Sequence, residues 1–122
     1  MSTTAPLLNK NVINTLIIET SCECMPMMLE AFCQELAKRR TLLAKALNEH
    51  NLVELTEQAH AIKSCAGTFG ASQLYDWAKT VEQQARTQHY VVNNLQSDSR
   101  ILLSILEQTE QQFTAFRLSE FS

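Results

Sequence analysis

The sequence predicts an all-α fold, an up-down four-helix bundle with an additional short N-terminal helix, and three observations predict it. Glycine and proline number two each among 122 residues, while Leu, Ala, Glu and Gln abound, so turns are few and elements long. Apolar residues recur at helical spacings of three, four or seven along four stretches, which is one face of a helix each time. The connections between those stretches are short, which makes successive helices antiparallel neighbours. A single domain over residues 1–122 is the simplest organisation, long enough to bury a core without disulfides or metal. No repeat, low-complexity tract or linker divides it.

The apolar segment Leu8 to Ile18 is the extra N-terminal helix. Pro26 then fits the first turn of a helix carrying Leu29, Phe32, Leu36, Leu43 and Leu47 on one side, with "KRR" at 38–40 in its middle, that runs to Asn48. From Asn51 to Phe69 the stripe is Leu52, Leu55, Ala59, Ile62, Ala66 and Phe69. Asn51 and Glu54 make a capping pair at its start. Gly70 falls just past the last apolar position, where a left-handed residue costs glycine nothing, and ends the helix. Leu74, Ala78, Val81 and Ala85 form a third stripe, and Leu95, Leu102, Leu106, Phe113 and Phe116 a fourth over a longer span.

Charge and cysteine usage narrow the function. A formal charge of −3 and a pI near 5.6 give no basic footprint for nucleic acid or an anionic membrane. The opening "MSTTAPLLNKNVINTLIIET" lacks the basic flank and long apolar run of a signal peptide, and no later window approaches a membrane span, so the expected location is cytoplasmic. Four cysteines there are expected to be reduced, without a disulfide. "SCECMPMM", 21–28, is a soft-ligand set that would suit Cu(I). Met27, Met28 and Leu29 nevertheless open an amphipathic helix, and no histidine or further cysteine lies at zinc spacing, so no metal site is expected.

The chemistry lies in "QAHAIKSCAGTFG", residues 58–70, which holds both glycines of the chain. At about 100° per residue, His60 lies roughly 130° from the centre of its helix's apolar stripe and faces water or the bundle edge. Lys63 is its i+3 neighbour, Ser64 its i+4 neighbour, and Gly67 continues the same side one turn on. A glycine inside a helix costs about 1 kcal/mol relative to alanine, so Gly67 suggests close approach by a partner. An exposed helical histidine is commonly no more than a solvated polar residue, and an inert helical adaptor is the alternative reading. The neighbours favour chemistry: an ammonium beside the imidazole disfavours its protonation, and a neutral imidazole accepts a phosphoryl group whose oxygens the same lysine stabilises. There is no G-x-x-x-x-G-K-[ST], no G-x-G-x-x-G and no acidic cluster for Mg²⁺, so the phosphoryl group and the metal both arrive on a partner.

"AHAIKSCAGTFGASQL", followed at a helical distance by "VEQQAR", resembles the pattern A-H-x-[LI]-K-[GS]-x-x-x-x-[FVI]-G-A-x-x-L of the histidine-containing phosphotransfer (HPt) domain family. In length, in the start "MPMMLEAFCQEL" and in Ser64 where most members have glycine, it is most similar to the stand-alone quorum-sensing type of phosphorelay protein. The resemblance implies that His60 is the phosphorylated residue, Lys63 its charge partner and Gly70 the terminating turn. It implies that Glu82, on the following helix, hydrogen-bonds and orients the imidazole. It further implies a carrier without ATP site or autokinase activity, with no cofactor of its own, that exchanges phosphoryl groups with aspartates of response-regulator receiver domains, including that of a hybrid sensor kinase. A monomer is expected.

"AKRRT", 37–41, is by default a solvated face. In an antiparallel hairpin, however, His60 lies about nine residues after the turn and Arg39 and Arg40 about the same distance before it, so the two arginines are expected at its level, poised with Ser64 and Gly67 to dock an acidic receiver site. His50 and His89, near helix ends, are expected to be solvated or capping.

Overall fold

The structure, a computed structural model, describes residues 8–19, 24–87 and 92–121. These form α1 (Lys10–Glu19), α2 (Met25–Asn48), α3 (Leu52–Phe69), α4 (Ser72–Thr87) and α5 (Val92–Phe121), with no strand among the described residues. Helices α2 to α5 are an antiparallel ring, each packed on the next and α5 closing against α2, while α1 lies against α3. Among the described residues no helix is long and apolar enough to cross a membrane.

The ends of α3 are set by local chemistry. Asn51 has extended backbone and its side chain accepts the Glu54 N–H at 3.1 Å. The reciprocal half of the capping box is missing, because the Glu54 carboxylate instead accepts from Gln58 Nε2 at 2.7 Å. At the far end Gly70 is left-handed (φ 73°), and the N–H groups of Gly70 and Ala71 both close on the Ala66 carbonyl. A side chain at Gly70 is barred twice, by that dihedral and by Val12, whose Cβ would stand 2.7 Å from a new Cβ. The Gly70 carbonyl also accepts the Asn9 N–H at 2.8 Å, which ties α1 to the end of α3. Asn9 Oδ1 in turn caps α1, taking the Asn11 N–H at 3.0 Å, so this helix starts at Lys10 and not at Leu8.

All the core positions read from the α2 and α4 stripes are buried, with Met25 and Trp77 added to them. In α3, Leu52 departs from its stripe and is exposed, since it opens the helix at the bundle's end, beside the turn from α2. Phe32 stacks on Phe69 with centroids 4.3 Å apart and meets Phe113 edge-on at 4.8 Å, fastening α2, α3 and α5 at one level. Cys24, Cys33 and Cys65 are free thiols, and Cys22 lies outside the described residues. Burial pushes Cys33 up and Cys65 to about 11, which keeps both as unreactive thiols.

Candidate functional site

Because α3 and α4 run antiparallel, the outer edge of one helix faces the outer edge of the other. His60 stands on the α3 edge and Glu82 on the α4 edge, with His60 Nδ1 and Glu82 Oε2 2.9 Å apart. The imidazole side chain is 56% exposed and the carboxylate 5%. Lys63 Nζ meets Glu82 Oε1 at 2.8 Å, and Arg86, one turn further along α4, meets Oε2 through Nε at 3.1 Å and Nη2 at 2.7 Å. One buried carboxylate thus gathers three nitrogen side chains.

Burial pushes the Glu82 carboxyl up, but the hydrogen bonds from Lys63, Arg86 and His60 outweigh it and bring the group down to about 2. An ionised carboxylate only accepts, so Nδ1 is the donor in this contact, and the neutral tautomer compatible with it has its unprotonated nitrogen, Nε2, on the side away from Glu82. With one carboxylate and two permanent cations, the cluster carries one positive charge in excess.

Lys63 is therefore placed differently from the sequence expectation. Its ammonium is directed at Glu82, and it acts on His60 across the carboxylate that both share. Ser64 is exposed one turn beyond His60. Gly67 has ordinary helical dihedrals and an aromatic neighbour: a Cβ there would meet Tyr75 Cδ2 at 3.5 Å and Cε2 at 3.6 Å.

The two arginines are not gathered with His60. Arg39 bonds Glu35 Oε2 at 2.6 Å and Gln58 Oε1 at 3.0 Å in the seam between α2 and α3. Gln58 is about 200° around α3 from His60, so Arg39 lies on the opposite flank of that helix. Arg40 turns to α5, where Nε meets Glu110 Oε1 at 3.0 Å. Counting residues from a hairpin turn fixes height along the bundle and leaves direction around it open. His50 is exposed in the turn, left-handed at φ 53°, with Nδ1 3.4 Å from Gln96 Nε2. His89 lies outside the described residues.

Arg86 was not anticipated from the sequence, although its i, i+4 spacing from Glu82 is the signal that finds it. Gln58 and Tyr75 carry no such signal. Among the described residues no group of three or more His, Cys, Asp or Glu is placed to hold a metal ion.

Comparison with known proteins points to one family. The sequence profile of the Hpt domain matches residues 27–115. The phosphorelay protein LuxU of Vibrio vulnificus is 30% identical over 115 residues, covering 94% of this chain and 98% of that protein. LuxU of Vibrio cholerae is 31% identical over 104 residues, 85% of this chain and 90% of that one. The fold is similar to the crystal structure of histidine-containing phosphotransfer protein B from Pseudomonas aeruginosa, with a TM-score of 0.65 at 24% identity over 89% of this chain and 98% of that chain.

Proposed function

We infer the chemistry of the site from one premise: the chain belongs to the Hpt domain family and is a histidine phosphotransfer protein of a phosphorelay. His60 is the phosphoryl acceptor. The observation that carries this reading is the 2.9 Å contact between His60 Nδ1 and Glu82, which leaves Nε2 as the exposed nucleophile. The Nε2 lone pair attacks the phosphorus of a receiver domain's aspartyl phosphate, the N–P bond forms, and the P–O bond to the aspartate breaks with its electron pair leaving on the carboxylate. No proton has to move, because Nδ1 keeps its hydrogen on Glu82. The ring becomes positively charged as it takes the phosphoryl group, and the Glu82 carboxylate stabilises that charge from the far side. Lys63 and Arg86, held on the same carboxylate as the imidazole, offer their remaining N–H donors to the phosphoryl oxygens. The same steps in reverse deliver the group to another aspartate.

In this reading the chain is a monomeric, single-domain cytoplasmic carrier over residues 1–122, without ATP site or autokinase activity. It serves receiver domains, including that of a hybrid sensor kinase, in a quorum-sensing relay, and has no nucleic-acid or membrane partner. It has no cofactor of its own; the Mg²⁺ that balances the aspartyl phosphate belongs to the receiver. The test is incubation with a receiver domain charged by acetyl phosphate. The protein should acquire an acid-labile, base-stable label, and His60→Gln should acquire none while melting as the native protein does. A label that persists in His60→Gln would rule out His60 as the acceptor.

A further inference from the structure

We propose that the Ser64 hydroxyl donates a hydrogen bond to the phosphoryl group on Nε2 of His60 and so acts as a positioning residue for the phosphohistidine, an inference that rests on His60 being the acceptor. Ser64 is one turn beyond His60 and about 40° around α3 from it. Side chains of a helix lean toward its N-terminus, so Ser64 leans toward the turn that carries His60.

The hydroxyl is uncommitted, unlike those of the exposed threonines. On the exposed faces of these helices Thr15, Thr41, Thr56, Thr68 and Thr80 each bond back to the carbonyl four residues earlier. Ser64 does not bond back to the His60 carbonyl, and among the described residues its hydroxyl has no hydrogen-bond partner. The other donors beside the imidazole, Lys63 and Arg86, each commit part of their N–H groups to Glu82, whereas the Ser64 hydroxyl commits none. Nδ1 is held by the same carboxylate, so the phosphoryl group projects from Nε2 on the exposed side of the ring, and Ser64, also exposed, lies one turn on along that side of α3. A hydroxyl there meets oxygens that carry a full dianion in phosphohistidine and less charge in the loose transition state through which the group departs. Its hydrogen bond therefore stabilises the carried state more than the departing one, and lengthens the time for which the group is held.

The experiment uses the full chain, phosphorylated by a charged receiver domain and then separated from it, so that docking plays no part in the readout. Phosphohistidine half-life and the ³¹P resonance are measured for the native protein, Ser64→Ala and Ser64→Gly. The half-life should fall roughly fivefold to tenfold in both variants, the order expected for one hydrogen bond to a charged acceptor near solvent, and the ³¹P resonance should shift. Glycine widens the approach and loosens the helix whereas alanine does neither, so an equal effect identifies the hydroxyl. Half-lives that are unchanged or longer in Ser64→Ala overturn the proposal, as does an effect confined to Ser64→Gly. Failure of the acceptor reading is distinguishable, because it shows as absence of label on the native protein or as label on His60→Gln.

Discussion

Helix α3 carries a buried polar side-chain network on each flank, and the two are built for opposite ends. On the α2 side, Glu35, Arg39, Gln58 and Glu54 form an open chain of hydrogen bonds that runs through the buried Gln58 amide. On the α4 side, His60, Lys63 and Arg86 converge on the buried Glu82. The seam network carries two carboxylates and one guanidinium and presents no nucleophile. The His60 network carries two cations on one carboxylate and leaves Nε2 outside the cluster. What separates a structural network from a reactive one here is a single uncommitted nitrogen, exposed and backed by excess positive charge.

The largest expected effect comes from removing the carboxylate that organises the reactive flank. Glu82→Gln keeps an oxygen able to accept from His60 Nδ1 but cannot balance Lys63, Arg86 or the charged phosphoimidazole. Transfer from a charged receiver should slow about a hundredfold, the lower end of what is seen when one electrostatic partner of a reacting centre is removed. Stability should change in a pH-dependent way as well. Glu82 is lowered from 4.5 to about 2 on folding, so its contribution is fully present above pH 4.5 and is lost as pH falls toward 2. That contribution is at most about 3 kcal/mol. In urea melts the gap between the native protein and Glu82→Gln should narrow from pH 7 to pH 3; a gap independent of pH would mean that the carboxylate is not stabilised by its cations.

Arg39→Met tests the other flank. It removes hydrogen bonds to Glu35 and Gln58 while keeping an apolar stem in the seam, and should cost about 1–2 kcal/mol, since Arg39 and Glu35 are partly exposed. Transfer rates at a temperature well below melting should match the native protein. If transfer collapses while stability hardly changes, Arg39 is a docking residue, as its position in the sequence suggests, and the contrast between the flanks fails.

The unequal legibility of the two flanks has a physical basis. Asn51, Gly70 and Pro26 act within a turn of their own positions, so the bounds of α3 and the start of α2 could be read from neighbouring residues. Apolar periodicity likewise placed Leu29, Phe32, Leu36, Ala78 and Val81 inside. Polar contacts between helices depend on azimuth, and one residue turns a helix by about 100°. Arg39 and Arg40 therefore diverge, one toward α3 and the other toward α5, although hairpin counting puts both at the level of His60. Gln58 was unreadable for a related reason, because a polar residue between apolar positions gives no sign that a neighbouring helix will cover it. The pairing of His60 with Glu82 follows from a family resemblance, and Arg86 joins it through an i, i+4 spacing present in the sequence.

The smallest effect sharpens the comparison through available space. Gly67 lies on the His60 face of α3, in helical conformation, and a Cβ there would touch Tyr75 at 3.5 and 3.6 Å, which is ordinary van der Waals contact. Gly67→Ala should therefore raise helix propensity without displacing the ring and stabilise the protein by about 0.5–1 kcal/mol. Transfer should be unchanged, because a methyl group packed against Tyr75 adds little height to the face a receiver must cover. Gly67→Arg separates the two properties: its long side chain has to pass the Tyr75 ring and project over that face, so transfer should weaken strongly while the midpoint of unfolding moves little. Native transfer by Gly67→Arg would show that a receiver reaches Nε2 without covering this part of α3, and that Gly67 is small for the sake of Tyr75 alone.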